Sequence, residues 1–246
     1  MAGDMSDGRL AVELGDEELT AVMAVVAGAV AVDVIREQSS ATANVLLELD
    51  LISEHGTTDK SATLFEGLTG ADRMVQVNVL GPDLEDDVRV FIAPTASTLI
   101  CPGAGGRHLV ERLDPADMPR EVAAHMRLLT GLAGEDLVIH LAQDILDSAF
   151  EGDAGRTADL LSAAVEDQEE LRTAMLAGDW LFRMMLVDQM EDGEPITHDL
   201  VLLLSIGTRM FSVQYDTTER GEHRADTIVP MSAWARVSGW FSLSPS

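Results

Sequence analysis

Cysteine is nearly absent. Cys101 stands alone, so no internal disulfide can form, and a zinc site built on several thiolates is excluded. Cations are scarce too: 16 Lys and Arg face 43 Asp and Glu, for a formal charge of −27. Such a chain repels phosphate backbones and anionic lipid surfaces, which argues against DNA or RNA as a partner. Aromatic residues make up only 4%, so a core must be built mainly from Leu, Val, Ala, Ile and Met. No apolar run is long enough to span a bilayer. The most apolar stretch, residues 21–32, stops at Asp33, whereas a spanning helix needs about 20 residues. The first residues carry Asp4 and Asp7 and lack the basic region of a secretion signal. These absences together point to cytoplasmic residence.

Apolar residues are plentiful, at 46% of 246, enough for one large core or two smaller ones. Helical periodicity predicts helices over residues 16–38, 41–55 and 59–68, with Asp16 capping the first and Gly56 and Gly70 ending the others. The period then changes to two. Strands are expected over 74–80, 87–93, 98–101 and 108–113, followed by a helix that Asp114 caps and Pro115 opens. The programme restarts after residue 134. Helices are expected over 137–150, 157–165 and 169–176, strands over 181–190, 200–206, 210–215 and 224–229, and a last helix over 231–241 opened by Pro230.

This recurrence is an internal repeat. Val88-Arg89-Val90-Phe91-Ile92 matches Leu200-Val201-Leu202-Leu203-Leu204 at a separation of 112, and Pro115, Val122 and Met126 match Pro230, Val237 and Phe241 at 115. The expected fold class is α+β, in two quasi-symmetric halves, 1–132 and 133–246. Each half has helices, an antiparallel sheet and a closing helix, and the two pack as one compact domain.

Motifs for chemistry are missing. Of the six histidines, His55, His108, His125, His140, His198 and His223, no two stand at the spacing of a helical zinc pair. Cys101 has no evident activating base and reads as a buried structural thiol. Gly103-Ala104-Gly105-Gly106-Arg107 leads into a strand and lacks the Lys-Ser/Thr ending of a phosphate cradle, so it reads as a hairpin connection. Adjacent acids abound simply because there are 43 of them, and no Gly-x-Ser-x-Gly elbow occurs. No catalytic residue, cofactor or metal is expected, and the chain reads as a binding protein rather than an enzyme.

Two features favour binding. The C-terminal helix holds Trp234, Trp240 and Phe241, a large share of a small aromatic supply, and Trp is enriched at interface hot spots. Trp234 and Phe241 also suit a purely structural role as core anchors, which leaves Trp240 as the residue expected to be exposed. The hairpin connections at Pro94, Thr95, Ala96 and Ser97 and at residues 217–222 could serve recognition or merely join strands.

The order of elements resembles the EspG family, the cytosolic chaperones of actinobacterial type VII (ESX) secretion. The resemblance covers nearly the whole chain. It is carried by Leu46-Leu47-Glu48-Leu49-Asp50-Leu51-Ile52, residues 88–101, Leu113-Asp114-Pro115-Ala116-Asp117-Met118-Pro119 and residues 210–230. A Gly/Arg-rich segment common in that family is reduced here to Thr218-Glu219-Arg220-Gly221. The resemblance implies a non-enzymatic chaperone that holds the apolar helical tip of a secreted PE–PPE-type heterodimer, and the sequence leaves open both a monomer and a homodimer. Its contacts would come from a central hairpin loop near Pro94, Thr95, Ala96 and Ser97 and from the C-terminal helix with Trp234, Trp240 and Phe241. Two other readings stand beside it. The charge of −27 also suits an acidic immunity or inhibitor protein that blocks a basic toxin or nucleic-acid enzyme. An enzyme with a site assembled from both halves would need a deep pocket of convergent polar groups.

Overall fold

The computed structural model describes residues 10–128, 136–191, 194–215 and 221–242. The chain opens with a strand that the sequence does not announce, β1 (Ala11–Leu14). The single helix expected over residues 16–38 is two, α1 (Asp16–Val26) and α2 (Val32–Gln38). The break is local. Gly28 takes φ +70°, a left-handed conformation that glycine adopts without a Cβ penalty. Ala29 and Val30 both donate their N–H to Ala24 O, and the chain turns so that Val32 and Ile35 re-enter the core. Asp16 is not the cap. Gly15 occupies that position, and Asp16, Glu17 and Glu18 fill the first turn, where acids meet the positive end of the dipole.

Ser39 does cap α3 (Ser40–Glu48), accepting from Thr42 N at 3.3 Å. This helix ends seven residues before the expected stop, at Glu48 and not residue 55. Asp50 turns left-handed at φ 56°, which buries Leu51 and Ile52 in and beside a small hairpin, β2 (Ile52–Ser53) and β3 (Gly56–Thr57). A reciprocal capping box between Thr58 and Ser61 opens α4 (Asp59–Leu64), and α5 (Glu66–Thr69) follows. The antiparallel strands β4 (Arg73–Gly81), β5 (Leu84–Ile92), β6 (Ser97–Pro102) and β7 (His108–Leu113) lie where alternation places them. Asp114 Oδ1 accepts from Ala116 N at 2.8 Å in a turn, and the helix α6 (Met118–His125) begins after it.

In the later part, the helix expected over 137–150 is a strand, β8 (Val138–Ala142), and a shorter helix, α7 (Gln143–Phe150). Then come α8 (Ala154–Ala164), α9 (Glu169–Leu176), β9 (Trp180–Glu191), β10 (Glu194–Ile206), β11 (Arg209–Gln214), β12 (Glu222–Thr227) and α10 (Pro230–Ser242). The two unannounced strands play matching parts. β1 pairs antiparallel with β7, Ala11 opposite Glu111, and β8 pairs antiparallel with β12, Val138 opposite Asp226. The fold class is α+β, with helices and a large antiparallel sheet, as the sequence indicates.

The chain divides into two units: Met1–Val75 with Val88–Met118 and Val187–Thr197, and Gln76–Asp87 with Pro119–Leu186 and His198–Ser246. Strand order is β1-β7-β6-β5-β4 in the earlier half and β9-β10-β11-β12-β8 in the later one. The far end of each half's long hairpin belongs to the other unit: 76–87 to the second and 187–197 to the first. The first unit's core gathers Leu14, Val22, Ile35, Leu46 and Phe65, and the second's gathers Leu141, Leu161, Trp180, Leu204 and Phe211. One aliphatic-rich core per unit is what an aromatic-poor chain can build.

Candidate partner-binding site

The residues expected to touch a partner fall in different units, the loop of residues 94–97 in the first and the helix α10 in the second. The loop joins β5 to β6, whose register sets Ile92 opposite Ser97. Ala93 N donates to Ala96 O at 3.0 Å, closing a tight turn. Pro94 and Thr95 are exposed, while Ala96 and Ser97 are fully buried. The loop therefore offers Pro94 and Thr95 to a partner, and Ala96 and Ser97 hold it to the body.

Thr95 is itself tied down. Its hydroxyl donates to Glu66 Oε1 at 2.7 Å, and Arg112 Nη2 donates to Glu66 Oε2 at 3.2 Å. The Thr95 bond, then the Arg112 bond and charge, hold the Glu66 carboxyl below its ordinary range. With the folded value lowered, the tie is present above the ordinary carboxylate range and is lost as pH falls through the folded pKa. In Thr95→Val the Glu66 carboxyl should titrate closer to its ordinary value, as followed by carbon-13 NMR. An unmoved midpoint would mean that Arg112 alone sets it.

In α10, Pro230 stands first, where a missing N–H costs nothing. Ala233 and Val237 are the buried positions, one turn apart on a single face. Beside them runs a second stripe at helical spacing, Met231, Trp234, Ser238 and Phe241. Trp234 and Phe241 are half-buried, neither sealed in the core nor free of it, and Met231 is 74% exposed. The Trp240 side chain lies outside the described residues, as do residues 217–220 of the second expected loop. Arg236 Nη1 donates to Ser212 Oγ on β11 at 2.8 Å, fixing the helix in its own unit.

Met231 and Leu176, the last residue of α9 and 81% exposed, were not singled out by sequence reasoning. The signal for Met231 was its place three residues before Trp234 on one helix. Leu176 precedes Ala177 and Gly178 at a helix end, a place where apolar residues normally turn inward. An exposed Met beside half-buried aromatics makes an adaptable apolar surface. It offers burial and shape to a partner. Among the described residues no group of three or more His, Cys, Asp or Glu could hold a metal ion, and no helix is long and apolar enough to cross a membrane.

No family model matches this sequence, and no curated protein matches it. A solved structure does. The fold is similar to that of the Mycobacterium tuberculosis type VII secretion system chaperone EspG5, determined in complex with a PE25–PPE41 dimer. The TM-score is 0.58, the identity 10%, and the match covers 96% of this chain and 97% of that one. Likeness at that identity is likeness of fold, and the fold of this chain is EspG-like.

Proposed function

We propose that this chain is a non-enzymatic, cytosolic chaperone of a type VII secretion system that binds the apolar helical tip of a PE–PPE-type heterodimer. The observation that supports it most is the fold match along nearly the full length of both chains, to a chaperone solved with a PE–PPE dimer. The physical need is plain. A helical hairpin with an apolar end associates with itself unless another surface covers it, and covering it removes apolar area from water. On this chain we assign the covering surface to the stripe of Met231, Trp234 and Phe241 on α10.

Co-expression with the PE–PPE-type pairs of the same genome tests the reading. A stoichiometric ternary complex that persists in 0.5 M salt (about a 4 Å Debye length) is expected, because an apolar interface is not screened. Loss of the complex at that salt would favour an electrostatic inhibitor, and no complex with any pair would remove the chaperone reading. In the complex, Met231→Asp should weaken affinity by about 30-fold, or about 2 kcal/mol, with an unchanged melting temperature. The exposure of Met231 makes it a cleaner probe than the half-buried Trp234.

A further inference from the structure

In the first unit, helices α1, α2 and α3 leave a trough of about 520 Å³ between them, within the range of about 300–1,000 Å³ that ligand sites occupy. Its floor is apolar and made of small or branched side chains: Ala21 and Ala24 of α1, Val30 of the link, and Ile35 of α2. Its charges are all of one sign. Asp16 and Glu17, both exposed, stand at one end, and no Lys or Arg lines it. The nearby hydroxyls are engaged with each other and with these carboxylates. Ser39 Oγ and Thr42 Oγ1 are 2.9 Å apart, and Thr42 Oγ1 donates to Glu17 Oε2 at 3.3 Å. His108 Nε2 lies 2.6 Å from Asp16 Oδ1. The polar groups thus position two carboxylates beside an apolar floor.

We propose that this trough docks a cationic amphipathic helix of a partner protein, its apolar side chains on the floor and its Lys or Arg residues against Asp16 and Glu17. Charge selects this occupant. A second copy of the chain would bring −27 against −27, and an anionic ligand would meet two carboxylates and no Lys or Arg. A cationic helix is drawn in by the whole field of the chain and then gains burial by the helix-in-groove mode. The trough shares no residue with α10 or with the loop of residues 94–97, and the proposal does not rest on the secretion reading.

The test titrates the full chain with an amidated peptide of about 18 residues built from Leu, Ala and Lys, with Leu at i, i+3, i+4 and i+7 spacing. One control scrambles Leu and Lys so that no apolar face forms, and another replaces Lys by Glu. Only the amphipathic cationic peptide should bind by calorimetry, and its amide-exchange protection should fall on α1 and α2. Glu17→Lys reverses a charge at the mouth, and Thr20→Trp fills the trough from an exposed position on α1. Each should weaken binding by about tenfold or more with cooperative thermal unfolding retained, Glu17→Lys melting slightly lower because it loses a first-turn acid and the Thr42 bond, while Met231→Asp should leave binding unchanged. Absence of binding, equal binding of the scrambled peptide, protection elsewhere, or unchanged affinity in either trough variant would overturn the proposal.

Discussion

Gly67→Ala should lower the melting temperature by about 6–12 °C, the shift that about 3 kcal/mol produces in a chain of this size. Gly67 lies buried in α5, pressed against the start of the loop that carries Pro94 and Thr95. A Cβ there would stand 2.3 Å from Thr98 N, 2.6 Å from Ser97 C and 2.7 Å from Phe91 O. All three are backbone atoms of β5 and β6, so no side chain can rotate away, and α5 must lift off the sheet. The buried bond from Thr98 Oγ1 to Leu64 O, 2.9 Å long, would stretch with it. Ala normally favours a helix over Gly by about 1 kcal/mol, and here sterics override that gain. Gly239→Ala in α10 is the matched control. Its Cβ meets nothing within 4 Å, and it should stabilise by about 0.5–1 kcal/mol. Thermal melts of both variants decide the matter, and a Gly67→Ala protein that melts like the parent would show that α5 is not fixed at this distance.

Arg183→Met should cost about 3 kcal/mol in urea unfolding. Arg183 is fully buried on β9. Its Nε donates to Met126 O, its Nη1 to Leu181 O and Ser205 Oγ, and its Nη2 to Arg127 O. Met126 and Arg127 follow the end of α6, where carbonyls lack helical partners and the dipole is negative. The guanidinium fork thus caps a helix inside the second unit. Two effects compete on its removal. Four acceptors lose a donor, at about 1–3 kcal/mol each where burial is complete. Against this, burial and the nearby Arg127 charge push the Arg183 pKa down to about 10. Because the folded value is lowered, carrying the proton costs stability below about pH 10, and that cost lifts as pH rises past the folded value. Four lost bonds outweigh one desolvated charge, so the variant is destabilised. Ser205→Ala, which loses one bond, should cost about 1 kcal/mol. A neutral or stabilised Arg183→Met would show that desolvation wins.

Strands were legible where alternation was strict. Residues 75–79, Val-Gln-Val-Asn-Val, alternate and lie in β4, and residues 169–176 keep helical spacing and are α9. The repeat was legible too. β6 and β11 open at Ser97 and Arg209, the 112-residue separation read from the earlier runs. The two unannounced strands share one cause. Val138-Ile139-His140-Leu141-Ala142 alternates as a strand should, but it abuts the apolar residues of α7, and only pairing with β12 far along the chain holds it extended. β1 depends in the same way on β7. The break between α1 and α2 turned on one glycine in a run that otherwise reads as helix.

The candidate site was legible only in part. Residues 94–97 were recognisable as a hairpin tip, yet nothing local separates exposed Pro94 and Thr95 from buried Ala96 and Ser97, because that depends on α5 and on Glu66 beneath the loop. On α10, helical spacing alone does not say which stripe faces inward. The contacts of the second unit bury Ala233 and Val237 and leave Met231 in water.

By itself the sequence determined the α+β class, the near-duplicate order of elements, the exclusion of an internal disulfide and the acidic field that disfavours anionic partners. These follow from composition and from periods of two and 3.6, which act over a few residues. Tertiary structure alone decided which strands close the edges, which unit takes each hairpin end, and which apolar residues remain exposed. Those outcomes depend on pairings and packing between residues a hundred positions apart, and no local pattern encodes them.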